Sequence, residues 1–313
     1  MGIPLLLLSL FTFVELNCEN LFDTRHDSLK QDTEFLPTAV RRWTPYRYWH
    51  KLNRIGQAIV SCGVLDTLSV MPDMVALTEV ENDSVLTDLT RRSLLRQAGY
   101  EYVMTASPDE RGIDVALMWS PFAFRLIRHH AIRIDPPKGF RPTRDILYAS
   151  GEVITGDTLH VFVVHAPSRA SGERATRPYR QLVANRLANA VDSVRLISPQ
   201  ARILVAGDFN DYSGDAALQT LLAHGLVEVS QNAVGRHGAK GTYRWHGRWD
   251  SLDHLFCCER LASRLLECRI NDAPFLLEED SKYGGMKPWR TYQGPKYLGG
   301  FSDHLPLVAV FSL

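Results

Sequence analysis

Seven apolar runs of strand length punctuate this sequence. They are "FTFVEL" from Phe11, "MVALTE" from Met74, "IDVALMW" from Ile113, "LHVFVVH" from Leu159, "RILVAGD" from Arg202, "SLDHLF" from Ser251 and "LPLVAVF" from Leu305. They are rich in Val, Leu, Ile and Phe, the composition of strands buried inside packed sheets. Helical spacing fills the gaps. Residues 46–61 put Tyr48, Leu52, Ile55 and Ile59 on one face, and residues 177–195 put Val183, Leu187, Ala190 and Val194 at the same offsets. A third, less regular pattern over about 84–97 carries Leu86, Leu89, Leu94 and Leu95. Strands mixed with helices along the whole length predict an α/β (α+β) layered fold. No linker, repeat or composition break divides the chain, so one domain over 12–313 is expected. Long loops are expected at 23–45, 135–145, 168–176, 230–250 and 278–302, where a binding rim commonly forms.

Residues 1–11 read as an apolar leader. "IPLLLLSL" resembles the core of an export signal but lacks a basic start and an A-x-A cleavage site, and it is too short for a confident membrane span. Cytoplasmic and exported locations both fit. Lys and Arg total 35, as do Asp and Glu, so the formal net charge is 0. That balance argues against a dedicated binder of long nucleic acid, though a local basic groove is compatible with it. The five cysteines, Cys18, Cys62, Cys257, Cys258 and Cys268, show no metal-type spacing and read as free thiols of the core.

The chemistry lies where the apolar runs stop. The first ends at Asn17, with Glu19 and Asn20 next; the second ends at Glu79. "LHVFVVH" ends at His165, "RILVAGD" at Asp208 with Asn210 and Asp211 following, "SLDHLF" carries Asp253, and Asp303 and His304 precede the last run. A single Asp or Asn after a strand is usually a turn residue or a helix cap. Six runs so flanked predict convergence on one rim of a layered sheet. Carboxylate and carboxamide oxygens without cysteine suit a hard cation such as Mg²⁺ or Mn²⁺. Two histidines beside them add proton transfer and charge stabilisation, a set suited to phosphate-ester hydrolysis.

These segments resemble the endonuclease/exonuclease/phosphatase superfamily. "LNCENLFD", "LTEVEN", "RGIDVALMW", "HAPSR", "AGDFND", "SLDHLF" and "GGFSDHLPL" follow in that family's order over residues 12–312. The closing "KPWRTYQGPKYLGGFSDHLPL" resembles bacterial members in particular. The resemblance implies a four-layer α/β sandwich of two packed mixed sheets flanked by helices, and a Mg²⁺- or Mn²⁺-dependent phosphoesterase. It implies Asn17, Glu79 and Asp303 as metal-site residues, with Glu19 an outer ligand. It places His165 at a phosphate-contacting or leaving-group position, Asp208 and Asn210 on the attacking water and the phosphate, and Asp253 beside His304. Arg111 and Arg169 match basic positions that hold phosphate oxygens. Asp208 and His304 are both candidates for the group that takes the water's proton.

A nuclease is the first substrate class the resemblance suggests; a phosphatase or phosphodiesterase for small phosphoesters or phospholipid headgroups is the alternative. A non-catalytic binding protein on the same fold would be expected to lose Glu79, Asp208 or His304, and all three are present. "TYRWHGRWD" is suited either to stacking a base or to packing a loop. The expected partner is the phosphoester substrate, nucleic acid among the candidates, with no obligate protein partner and a monomeric chain.

Overall fold

The computed structural model describes residues 10–65, 68–169 and 172–313; most of the apolar leader lies outside the described residues. Two six-stranded sheets form the body. In chain order their strands are β1 (Leu10–Leu21), β2 (Met74–Val80), β3 (Glu101–Met104), β4 (Asp114–Trp119), β5 (Phe124–Ile132), β6 (Ile146–Val153), β7 (Thr158–His165), β8 (Arg202–Asp208), β9 (Leu226–Glu228), β10 (Asp253–Cys258), β11 (Leu265–Ile270) and β12 (Leu307–Ser312). The first sheet runs β11-β12-β1-β2-β4-β3 and the second β9-β10-β8-β7-β6-β5. Each has one parallel pair near its centre: β1 with β2, Phe13 opposite Met74, and β7 with β8, Leu159 opposite Arg202. The sheets pack face to face through these strands, whose side chains are almost all buried on both faces.

This topology explains the convergence of polar ends. The four central strands finish at one rim, bringing Asn17, Glu79, His165 and Asp208 there. Strand β10 is antiparallel to β8 and starts where β8 ends, with Asp253 opposite Asp208. Strand β12 is antiparallel to β1, Leu307 opposite Glu15, so the chain passes through Asp303 and His304 at the same rim before entering the core.

Helices cover the outer faces and complete the four layers. Helix α1 (Pro45–Cys62) starts behind Thr44, whose hydroxyl caps Arg47 N–H, and buries Tyr48, Leu52, Ile55 and Ile59. Helix α2 (Glu173–Ile197) buries Val183, Leu187, Val191 and Val194. It starts four residues before the apolar pattern, because Glu173 pairs with Arg169 at 2.5 Å and Arg177 at 3.1 Å and stabilises a polar first turn. The third pattern breaks into an α-turn at Asp83–Thr87, a π-turn at Asp88–Arg92 and a 3₁₀ turn at Leu94–Gln97. The wider turn, closed by Ser93 N–H on the Asp88 carbonyl at 2.8 Å, shifts the helical register, so that Leu89 and Leu95 are buried while Leu94 is exposed. Among the described residues no helix is long and apolar enough to cross a membrane, and the five cysteines are unpaired.

Candidate active site

The site is built on strained backbone. Between Asn17 and Leu21, β1 fits extra residues against β2, and Glu79 bulges between its paired neighbours Thr78 and Val80. Glu19, Asn20, Glu79 and Asn210 all adopt positive φ, at 47°, 58°, 60° and 51°. Such conformations cost about 1–3 kcal/mol each for residues with a Cβ and persist where the surroundings over-determine them. Gly207, at φ 147°, is required just before Asp208: a Cβ there would lie 1.8 Å from the Val164 carbonyl oxygen. Gly299 and Gly300 set the approach to Asp303. Gly299 has φ 70°, and a Cβ on Gly300 would meet the Trp289 carbonyl oxygen at 2.0 Å.

One pocket of about 520 Å³ opens at this rim, lined by Asn17, Glu79, Arg111, His165, Arg169, Asp208, Asn210, Asp303 and His304 among others. His304 Nδ1 lies 2.7 Å from Asp253 Oδ2, which also accepts the Thr242 hydroxyl. Asp253 stands behind the pocket wall and reaches the pocket only through His304. Asp208 accepts the Asn17 amide at 3.1 Å on one oxygen and the Asn210 backbone N–H at 2.8 Å on the other. The Asn210 amide donates to the Ala166 carbonyl at 3.2 Å, which fixes its orientation. His165 Nε2 is 3.7 Å from Asp208 and 3.9 Å from Glu79.

Burial and charge separate the two histidines. Burial, together with the Arg144 and Arg111 guanidiniums, pushes His165 well below the usual imidazole range, so it is neutral. Burial works the same way on His304, but the Asp253 carboxylate, reinforced by Asp303 and Asp208, holds it well above that range as an imidazolium. Burial and the neighbouring Asp253 carboxylate raise Asp208 to about 7, against the opposing pull of His304. Beneath the site, the fully buried Glu15 is raised well above normal by burial and by Asp253 and Asp208.

The endonuclease/exonuclease/phosphatase family matches residues 12–312. The chain belongs to that family. No curated protein is significantly similar to it in sequence. Among solved structures, a family protein from Bacteroides thetaiotaomicron superposes with TM-score 0.63 at 14% identity, covering 97% of this chain and 98% of the other. The mannosyl-6-phosphatase Bt3783 from that species gives 0.64 at 14% identity, covering 96% and 98%. The human nocturnin catalytic domain gives 0.57 at 17%, covering 97% and 94%. At these identities the likeness is one of fold.

Members of this family generally work with a divalent metal, and the oxygen donors here fit one. Among the described residues Glu79 Oε1 accepts no hydrogen bond; the Arg111 guanidinium is 4.0 Å away and the neutral His165 ring 3.9 Å. Carboxylates repelling one another around Asp208 mark a deficit of positive charge. Glu79, Asp303 and Asn17 can supply hard oxygen ligands to a cation in the pocket. Asp208, Asp253 and His304 also bring one donor atom each within 4.8 Å of one another. A protonated imidazole is a poor metal ligand, and His304 is held in that form by Asp253.

Of the remaining residues expected here, Arg111 and Arg169 line the pocket. Arg111 donates to the Asn20 side chain at 2.5 Å, while Arg169 lies over the Tyr212 ring at 4.4 Å. Glu19 does not line the pocket: Arg290 and the Thr291 N–H occupy both of its oxygens. Several contributors carry no strand-end signal in sequence. Tyr243 packs its ring 4.9 Å from His304, Ser302 ties the closing loop to the Asn17 carbonyl at 2.6 Å, and Arg290 reaches in from 13 residues before Asp303. "TYRWHGRWD" folds as a hairpin, Tyr243–Trp245 against Arg248–Asp250, that walls one side of the pocket.

Proposed function

We propose that this chain is a Mg²⁺-dependent phosphoesterase acting on a phosphoester whose organic group is compact enough to enter the pocket. The observation that supports the reading is the pocket itself. Its volume is that of a small-molecule site, and its outer wall combines the rings of Tyr212, Tyr243 and Trp245 with acidic and basic side chains in pairs, Glu173 with Arg169 at 2.5 Å and Asp250 with Arg248 at 3.3 Å. Paired in this way the wall offers little net positive charge to a long polyanion, and its polar groups can bond hydroxyl groups. A mannosyl-6-phosphatase shares the fold, which supports a substrate of this size.

A divalent cation held by Glu79, Asp303 and Asn17 would supply Lewis-acid stabilisation of the phosphoryl oxygens. The chain's own residues do the rest. Asp208 is the base for the attacking water: its carboxylate is poised near neutral pH and held in place by Asn17 and Asn210. His304, kept protonated by Asp253, donates from Nε2 to a phosphoryl oxygen as negative charge develops. The Asn210 amide and Arg111 orient the phosphate, and neutral His165 hydrogen-bonds without adding charge. Of the two candidates, Asp208 is the better supported as proton acceptor, since an imidazolium has no free acceptor atom.

A nuclease reading has one observation of its own. Trp245 is half exposed and stacks on His246 with ring centroids 4.5 Å apart, a platform that would take a base. A Mg²⁺-dependent screen separates the two. Sugar phosphates, mononucleotides, bis-nitrophenyl phosphate, single-stranded RNA and plasmid DNA would each be compared with and without chelator. We expect turnover of small phosphoesters with intact RNA and plasmid. Efficient cleavage of RNA or plasmid would favour the nuclease, and full activity in chelator would refute both.

A further inference from the structure

Two carboxylates beside the metal-binding face are already bridged by a cation from the chain. Arg290 Nε donates to Glu19 Oε1 at 3.1 Å, and Arg290 Nη2 donates to Asp303 Oδ2 at 2.9 Å. The other Glu19 oxygen accepts the Thr291 backbone N–H at 2.6 Å, with Lys51 Nζ 3.8 Å away. Lys51 is fully buried and held by the Thr291 hydroxyl at 2.6 Å and by the Phe301 carbonyl. The loop that carries Arg290 is pinned to the segment leading into Asp303: Phe301 N–H bonds to the Trp289 carbonyl at 2.6 Å and Gly300 N–H to the Arg290 carbonyl at 3.2 Å. The guanidinium is therefore fixed in place by the backbone as well as by its partners.

We propose that the metal centre takes a single divalent ion, and that Arg290 permanently occupies the place of a second between Glu19 and Asp303. This rests on the metal-dependent reading above. A planar guanidinium satisfies two carboxylates at once, with directed charge-assisted hydrogen bonds that a lysine ammonium does not reproduce. A second divalent ion at these oxygens would have to displace it, since two cations sharing one carboxylate pair at hydrogen-bonding range repel strongly in a partly desolvated site. Among the described residues Asp303 Oδ1 makes no hydrogen bond, and Asp303 lines the pocket, so Arg290 leaves one of its oxygens for a cation there. Arg290 is thus a positioning residue: it acts through Asp303 and lies outside the set that lines the pocket.

The test is a Mn²⁺ titration of the full-length protein, with free ion read by electron paramagnetic resonance. Wild type should bind one Mn²⁺ per chain. Arg290→Met, similar in length but uncharged, should bind two and show the broadened signal of a coupled pair. Adding Glu19→Gln to that variant should return it to one. Two ions in wild type would overturn the proposal, as would a folded Arg290→Met protein that still binds one with unchanged affinity. If Arg290→Met fails to fold, Arg290→Lys replaces it: a weakened bridge should let a second ion in at high Mn²⁺, and unchanged binding overturns the proposal. No bound Mn²⁺ in wild type would remove the metal-dependent reading itself, and this inference with it. Hyperbolic Mg²⁺ dependence of turnover in wild type, becoming sigmoidal in Arg290→Met, is the kinetic counterpart.

Discussion

Asp208→Asn should make the metal-free protein more stable at alkaline pH while removing most of its activity. In the folded chain burial and Asp253 raise the Asp208 carboxyl from its ordinary 3.8 to about 7. Each pKa unit corresponds to about 1.4 kcal/mol, so the ionised carboxylate costs the fold roughly 4 kcal/mol. The sign follows from proton binding. Between pH 3.8 and about 7 the folded state holds a proton that the unfolded chain has released. Stability contributed by this group is therefore present below the lower value and lost as pH rises to the upper one. From about pH 5 to pH 8 the wild type should lose about 2–3 kcal/mol through Asp208 alone, and the variant has no such loss. The amide can no longer accept from both Asn17 and Asn210, which costs about 1 kcal/mol at every pH. Thermal melts in chelator should thus show the variant gaining on wild type by about 5 °C between those two pH values. Turnover with Mg²⁺ should fall about 10²-fold or more, the scale of a lost acid or base. Parallel melting curves across that range would refute the reasoning, because the carboxylate would then carry no buried-charge penalty.

Three further outcomes follow from the same geometry. Asp253→Asn and His304→Ala should be similarly inactive and the double variant hardly worse, because the pair joined at 2.7 Å acts as a unit; multiplicative losses in that kinetic cycle would dissolve the pair. Glu79→Gln should weaken Mg²⁺ binding and turnover together, measured by titration calorimetry and rate, and an unchanged metal titration would remove Glu79 from the ligand set. Binding to long duplex DNA should show a shallow salt dependence, given the zero formal net charge; a slope implying six or so phosphate contacts would point instead to a dedicated DNA enzyme.

How far the sequence reaches is plain from individual elements. The runs ending in Asn17, Glu79, His165 and Asp208 were legible because strands buried on both faces are continuous apolar stretches, and a polar residue that ends one must meet solvent or a site. The strands β5, "FRLIRHHAI", and β6, "ILYASGEV", gave no such signal. The first is an exposed sheet edge rich in Arg and His, and the second packs a Gly against Phe124 where an apolar side chain would otherwise mark a strand. By itself, then, the order of apolar runs and their polar ends determined the layered fold and most of the residues at the rim, since these follow from local hydrophobic pattern, while the family came from the resemblance of the motifs. The pairing of Asp253 with His304 across 51 positions was carried only by the resemblance, and the structure places the two atoms 2.7 Å apart. Tertiary structure alone decided what Glu19 touches, which histidine carries a proton, and that Arg290 bridges two carboxylates. Those outcomes depend on burial and on distances between side chains far apart in sequence, and charge interactions fall off with separation in space while being indifferent to separation along the chain.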